Sequence, residues 1–189
     1  DKMGFLIISG YSGAGKSMVA DVLEDMGYYC VDNMPAVLIP RFAELCLSVR
    51  GKYGKVALVT DIRTEESFEG MFEALEELKR LNCEYKILFV EADAQVIVRR
   101  FSETRRRHPL QTEGELIENT VAREIQAFDP VRSRANYIID TSTLSVAMLK
   151  EHVYSLFSRG DGQGGMIISL ISFGFKYGLP VGVDMVFDV

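Results

Sequence analysis

The chain has 189 residues, 48% of them hydrophobic and 25% charged, and a formal net charge of −6 at pH 7. That is enough for one α/β domain with a real core and the beginning of a second, and the acidic balance argues against non-specific nucleic-acid binding by the surface as a whole while leaving room for a local basic patch. Cys30, Cys46 and Cys83 are odd in number and lack a C-x-x-C pairing, so they suggest neither a disulfide framework nor a metal site and read as reduced core thiols of a cytosolic protein.

Phe5-Leu6-Ile7-Ile8-Ser9 is a short apolar run of strand type, too short for a signal-peptide core, and no stretch approaches a membrane span. A soluble, cytoplasmic protein with no membrane partner is expected. The next stretch, Gly10-Tyr11-Ser12-Gly13-Ala14-Gly15-Lys16-Ser17, fits G-x-x-x-x-G-K-[ST] at every fixed position. A helical pattern follows (Val19, Ala20, Leu23, Met26) and Gly27 stops it. Strand, glycine loop and helix form the context a phosphate-binding loop requires. Glycines let the backbone curl until its N–H groups point at phosphate oxygens, and the helix adds the positive end of its dipole. Lys16 supplies a cation for the β- and γ-phosphates, and the Ser17 hydroxyl suits Mg²⁺.

Tyr28-Tyr29-Cys30-Val31 predicts a second strand that delivers Asp32 and Asn33 at its carboxyl end. Asp32 reads either as a group that receives a proton from an acceptor hydroxyl or holds water on the metal, or as ordinary turn and helix-start chemistry before Pro35. A helix is expected from Pro40 to about Val49, burying Phe42, Leu45 and Val49. Val56-Ala57-Leu58-Val59-Thr60-Asp61 is an apolar strand ending in aspartate, which resembles a Walker-B carboxylate placed to hold Mg²⁺. Asp61-Ile62-Arg63-Thr64 would then lie beside the phosphates; the competing reading is a solvated Asp-x-Arg turn. Phe68, Met71, Phe72, Leu75, Leu78 and Leu81 mark an amphipathic helix whose apolar stripe is core. Lys86-Ile87-Leu88-Phe89-Val90 is the fourth strand, with another helix from Ala94.

Arg99, Arg100, Arg105, Arg106 and Arg107 crowd into residues 99–107 of an acidic protein. Guanidinium groups bond phosphate bidentately and stay charged. The run therefore reads as a lid over a nucleotide or phosphorylated substrate, with Arg105 and Arg106 as phosphate contacts. A solvated helix end with Arg-Glu pairs, or a patch contacting RNA, are the other readings. His108 before Pro109 reads as a polar anchor rather than a base. A helix from Glu115 to Phe128 (Leu116, Ile117, Thr120, Ile125, Phe128) leads to Arg132-Ser133-Arg134 and the fifth strand, Tyr137-Ile138-Ile139-Asp140. Arg-x-Arg before that strand and Asp140-Thr141-Ser142 after it resemble the purine cradle of small P-loop kinases. Val146, Leu149, Val153, Leu156 and Phe157 mark a last helix capped by Ser145. Residues 160–165 form a glycine-rich linker, so a domain is expected over residues 3–159. Residues 166–173 and 183–189 read as strands beginning a second, truncated domain within residues 166–189.

Several of these stretches together resemble the RapZ/YvcJ family. They are Glu24 through Pro35 (E-D-M-G-Y-Y-C-V-D-N-M-P), Asp61-Ile62-Arg63, Arg100 through Leu110 (R-F-S-E-T-R-R-R-H-P-L), Ile139-Asp140-Thr141-Ser142, Ser172 through Gly178 and Val186 through Val189. The family comprises bacterial P-loop nucleotide-binding proteins, including RNase adapters. The resemblance implies a kinase-like domain that binds and slowly hydrolyses ATP and GTP, with Gly10 to Ser17 as the ATP loop and Asp61 to Thr64 as the GTP-associated segment. It also implies a further C-terminal domain of somewhat over a hundred residues that carries small-RNA binding and drives homo-oligomerisation. The absence of an Asn-Lys-x-Asp run argues against strict guanine specificity. The expected architecture is a three-layer α/β P-loop domain, nucleotide-kinase-like, with a five-stranded parallel sheet. Two functions compete, a regulator using ATP or GTP with Mg²⁺ as a switch for an RNA or protein partner and a small-molecule or nucleotide kinase, with a nucleotide-independent interaction module carrying a vestigial loop as a minor third. Both need Lys16, Ser17 and Asp61, and only the kinase needs an acceptor pocket, with Asp32 as its base and the arginine lid closing it.

Overall fold

The computed structural model describes residues 4–49, 54–60 and 65–157, with the side chains of residues 65–67 outside that description. Five strands, β1 (Gly4–Gly10), β2 (Tyr29–Met34), β3 (Lys55–Thr60), β4 (Glu84–Glu91) and β5 (Tyr137–Asp140), form one parallel sheet in the order β2-β3-β1-β4-β5. Phe5 to Ile8, Val56 to Val59 and Ile87 to Val90 are all buried. Such continuous apolar runs, instead of alternation, are what a strand covered on both faces requires. Each fully buried Ile, Leu or Phe stabilises the fold by about 1.5–3 kcal/mol.

The covering helices are α1 (Lys16–Asp25), α2 (Ile39–Ser48), α3 (Glu65–Arg80), α4 (Ala94–Thr104), α5 (Ile117–Arg132) and α6 (Val146–Phe157). α1 packs with α6, α2 with α3, and α4 with α5. Phe68 of α3 meets Phe128 of α5 edge to face at 4.9 Å, which puts these two helices on one side of the sheet. Right-handed crossovers give the same result: the step from β1 to β2 runs opposite to the step from β3 to β4, so α1 and α3 cover opposite faces. The expected three-layer parallel architecture is therefore present. The connections leaving neighbouring strands β1 and β4 run in opposite directions across the sheet, and the carboxyl ends of these two parallel strands open the crevice where α/β sheets hold ligands.

Helix ends follow the sequence signals. Gly27, at φ 84°, ends α1 with Tyr28 N–H donating to the Leu23 carbonyl at 2.9 Å, a Schellman closure. Ser145 Oγ accepts from Met148 N–H at 3.2 Å and caps α6. Two expectations change. α2 follows a 3₁₀ turn (Ala36–Leu38) and buries Ile39, Ala43 and Cys46. Leu45 is 57% exposed and Val49 is also exposed, so the buried face is rotated from the expected one. The face that packs against α3 carries Ile39 with the smaller Ala43 and Cys46, while of the expected stripe Phe42 is half-buried against the core and Leu45 and Val49 point outward. α5 starts at Ile117 rather than Glu115 and continues through Pro130 to Arg132, which leaves Leu116 67% exposed. The proposed linker and second-domain strands, residues 160–189, lie outside the described residues.

Candidate functional site

The glycine loop leaves the carboxyl end of β1 at the crevice between β1 and β4. Gly10 pairs with Val90 of β4, and Tyr11 N–H donates to the Val90 carbonyl at 3.1 Å. Gly10, Gly13 and Gly15 take φ values of 142°, 77° and 109°, a sequence of turns that side chains resist. A Cβ on Gly10 would stand 2.0 Å from the Val90 carbonyl oxygen, and one on Gly13 would stand 2.8 Å from the Phe101 ring.

The loop's carbonyls are held from within the protein. Lys16 Nζ donates to the carbonyls of Gly10 at 2.7 Å and Tyr11 at 2.9 Å. The Gly13 carbonyl accepts from Arg100 at 3.0 Å, and the Ala14 carbonyl accepts from Thr141 Oγ1 at 2.6 Å. Arg100 also donates to Thr141 Oγ1 at 3.0 Å and to the Thr141 carbonyl at 2.8 Å, tying the loop to the chain just after β5. Gly15, in the left-handed region, is the N-cap of α1, and its carbonyl accepts from Val19 N–H. An α-helix offers its first-turn N–H groups no internal acceptor, so they point out of its start toward the loop's concave side. The amides of Gly13, Gly15 and Ser17 donate to no protein acceptor among the described residues. They are the donors an anion could take.

Tyr11 contributes through its backbone. Its ring is buried, edge on to Phe89 at 5.2 Å and to Phe128 at 6.0 Å. Burial and the nearby Glu91 carboxylate push its phenol above the ordinary range. Ser17 is exposed on the first turn of α1. Asp32 is exposed within β2, where the register with β3 shifts between Val31 and Met34, and its Oδ1 accepts from Asn33 N–H at 2.8 Å. Asp61, Ile62, Arg63 and Thr64 lie outside the described residues. β3 ends just before them at Thr60, whose hydroxyl donates to the Ile8 carbonyl at 3.2 Å. No cluster of three or more His, Cys, Asp or Glu side chains suited to a metal ion occurs among the described residues.

The arginine run divides in two. Arg100 on α4 is committed to the loop, and burial lowers its pKa from the usual guanidinium value. Arg105, a left-handed residue closing α4, and Arg106 and Arg107 are exposed and line an open depression of about 440 Å³ with residues 111–115. Its opposite wall is braced. Glu115 accepts from Thr112 N–H at 3.1 Å, Thr112 Oγ1 at 2.9 Å and Arg123 at 3.0 Å, and the Thr112 donors hold its carboxyl at about 2. The resemblance to a purine cradle fares differently. Arg132 is engaged by Glu91 at 2.5 and 2.9 Å, and the Arg134 guanidinium lies 3.9 Å over the Phe72 ring. Both groups are spent on packing the domain.

Glu124 carried no signal as an isolated letter. It lies on the buried stripe of α5 with Thr120, Val121 and Phe128, a carboxylate among core positions, and that placement could have flagged it. Its oxygens accept from Ser12 N–H at 3.1 and 3.2 Å, from Ser12 Oγ at 2.7 Å and from His108 Nε2 at 3.2 Å. Leu110 N–H donates to His108 Nδ1 at 3.2 Å, which assigns the ring proton to Nε2. Burial pushes the Glu124 carboxyl up, but the His108 and Ser12 donors outweigh it and hold it below its ordinary value. His108 is thus a polar anchor, as its sequence position suggested, and the structure adds that it is buried.

Comparison with known proteins agrees with this architecture. Residues 3–161 match the family described as RapZ-like N-terminal domain. Proteins named nucleotide-binding protein from Ruminiclostridium cellulolyticum H10 and Acetivibrio thermocellus are 50% and 51% identical over 187 residues, 99% of this chain and 64% of each relative. The chain therefore spans just under two thirds of their length. Among solved structures, shikimate kinase from Bacteroides thetaiotaomicron matches with a TM-score of 0.53 at 16% identity, covering 83% of this chain and 99% of that one. The Deinococcus radiodurans tunicamycin resistance protein matches with a TM-score of 0.57 at 15% identity, covering 82% and 95%. At these identities the likeness speaks for the fold alone.

Proposed function

This chain belongs to the RapZ-like N-terminal domain family, and from that premise we propose that it is a nucleoside-triphosphate-binding regulatory domain with weak hydrolytic activity. The observation that carries this reading is the hydrogen bonding of the glycine loop: carbonyls at Gly10, Tyr11, Gly13 and Ala14 are occupied from within the protein, and among the described residues no acceptor takes the amides of Gly13, Gly15 and Ser17, which suit phosphate oxygens. The names of the relatives from R. cellulolyticum and A. thermocellus support it.

In this reading Gly10, Tyr11, Ser12, Gly13, Ala14 and Gly15 shape the cradle, and Lys16 neutralises the β- and γ-phosphates. The Ser17 hydroxyl and the Asp61 carboxylate would hold Mg²⁺, Ile62, Arg63 and Thr64 would lie beside the nucleotide, and Arg105 and Arg106 would supply positive charge over its phosphates. ATP and GTP are both accepted. The domain spans residues 3–159, and the output passes to a small RNA or protein partner and to homo-oligomer contacts through the part of the longer relatives that this chain does not span. The protein acts in the cytoplasm. Transfer to a small acceptor would need a base such as Asp32, which is exposed and bonded to its own neighbour's amide.

The test is incubation with γ-labelled ATP and GTP plus Mg²⁺, with and without a panel of nucleotides, sugars and sugar phosphates, and with Lys16→Ala as the blank. Slow release of free phosphate, lost in the variant, is expected. Rapid appearance of label on one acceptor would make the protein a kinase and overturn the regulatory reading.

A further inference from the structure

A buried carboxylate beside a phosphate loop is unexpected on electrostatic grounds, because its charge opposes the ligand the loop is shaped for. Glu124 is only 1% exposed, as is His108, and among the described residues its hydrogen-bond donors are Ser12 and His108. Ser12 gives it both backbone N–H and hydroxyl, the two donors that together fix one residue's orientation. His108 is fixed in turn, since Nδ1 accepts from Leu110 N–H and the ring lies 4.8 Å from that of Phe101. Phe101 is also the side chain against which Gly13 packs. The Arg105–Arg107 segment is therefore anchored to the loop at both ends, through Arg100 and Phe101 before it and through His108 and Glu124 after it.

We infer that Glu124 is a positioning residue for the phosphate loop: it fixes Ser12, and with His108 it makes the set of the loop and the placement of the arginine segment a single arrangement. This rests on the reading of the loop as a nucleotide site. Two other roles are excluded by what surrounds the carboxylate. A core filler would need no polar group, since buried polar atoms cost stability unless satisfied. A competitor for phosphate would need to leave, and a carboxylate enclosed on the packed face of α5 has no solvent to move into. The amide it takes, that of Ser12, is also distinct from those of Gly13, Gly15 and Ser17.

The experiment compares Glu124→Leu, which removes both acceptors at similar volume, Glu124→Gln, which keeps one oxygen for Ser12, Ser12→Ala, and the Glu124→Leu/Ser12→Ala double variant. Mg–ATP affinity is measured by calorimetry, with Lys16→Ala as the control for the site itself. In parallel, Ser12 N–H exchange is followed by NMR without nucleotide. Expected are a loss of affinity of about thirty-fold for Glu124→Leu and about three-fold for Glu124→Gln, with the double variant no weaker than Glu124→Leu alone. Ser12 N–H exchange should be protected in the wild type and at least ten-fold faster in Glu124→Leu. Folded Glu124 variants that bind as the wild type does, or more tightly, with unchanged Ser12 exchange, overturn the inference. If Glu124→Leu does not fold, Glu124→Gln and Ser12→Ala carry the same comparison. A wild type that binds no nucleotide refutes the nucleotide reading, while Ser12 exchange still decides whether Glu124 sets the loop.

Discussion

Replacing Arg100 with alanine removes a guanidinium that holds three acceptors: the Gly13 carbonyl at 3.0 Å, Thr141 Oγ1 at 3.0 Å and the Thr141 carbonyl at 2.8 Å. Hydrogen bonds from a charged donor contribute about 1.5–3 kcal/mol each, but the three are not equally exposed to loss. Gly13 is exposed, so water replaces Arg100 there at little cost. Thr141 Oγ1 keeps its bond to the Ala14 carbonyl. The Thr141 carbonyl belongs to a residue only 3% exposed, and stranding it is the main penalty, about 1–3 kcal/mol. A net loss of about 2 kcal/mol is expected, lowering Tm by about 4–8 °C for a chain of this size. Arg100→Lys should recover less than half, because one ammonium cannot span acceptors on two segments. Urea unfolding and scanning calorimetry of both variants give the measurement. Stability of Arg100→Ala within about 0.5 kcal/mol of wild type would refute the view that this side chain ties the loop to the end of β5.

Gly10→Ala should destabilise by more than about 4 kcal/mol, because the atom its Cβ meets at 2.0 Å is the Val90 backbone carbonyl, which cannot step aside without parting β1 from β4; near-wild-type melting would contradict that packing. Glu115 has its folded carboxyl held at about 2, below the ordinary 4.5, first by Thr112 N–H and then by the Thr112 hydroxyl. A depressed folded pKa stabilises above the unfolded value and ceases to do so as pH falls through the folded one. The stability advantage of wild type over Glu115→Gln should thus be constant at neutral pH, shrink below 4.5 and vanish near 2; an advantage that does not change across that range would rule out the ionised carboxylate as its source.

Much of the site could be read from adjacency. Gly10, Gly13, Gly15, Lys16 and Ser17 are consecutive enough for local backbone chemistry to fix their relation, and the strand before and helix after them are set by apolar patterning. Five strands and the amphipathic face of α3 were legible for the same reason: burial on one or two faces imposes a period on the letters. The face of α2 was not, since both of its candidate stripes are apolar and only the approach of α3 selects Ile39, Ala43 and Cys46. The fates of the arginines were also beyond the letters. Arg100, Arg105, Arg132 and Arg134 look alike in sequence, yet a loop carbonyl, solvent, Glu91 and the Phe72 ring claim them separately.

The sequence alone determined that a glycine loop of the G-x-x-x-x-G-K-[ST] pattern stands between a buried strand and a helix, because that requires only short-range steric and periodic constraints. The tertiary structure decided what holds the loop in shape. Thr141 lies 127 residues from Ala14, and Glu124 lies 112 from Ser12. A hydrogen bond across such a separation depends on where the folded sheet and α5 bring two segments together, and no local pattern in the chain encodes that meeting.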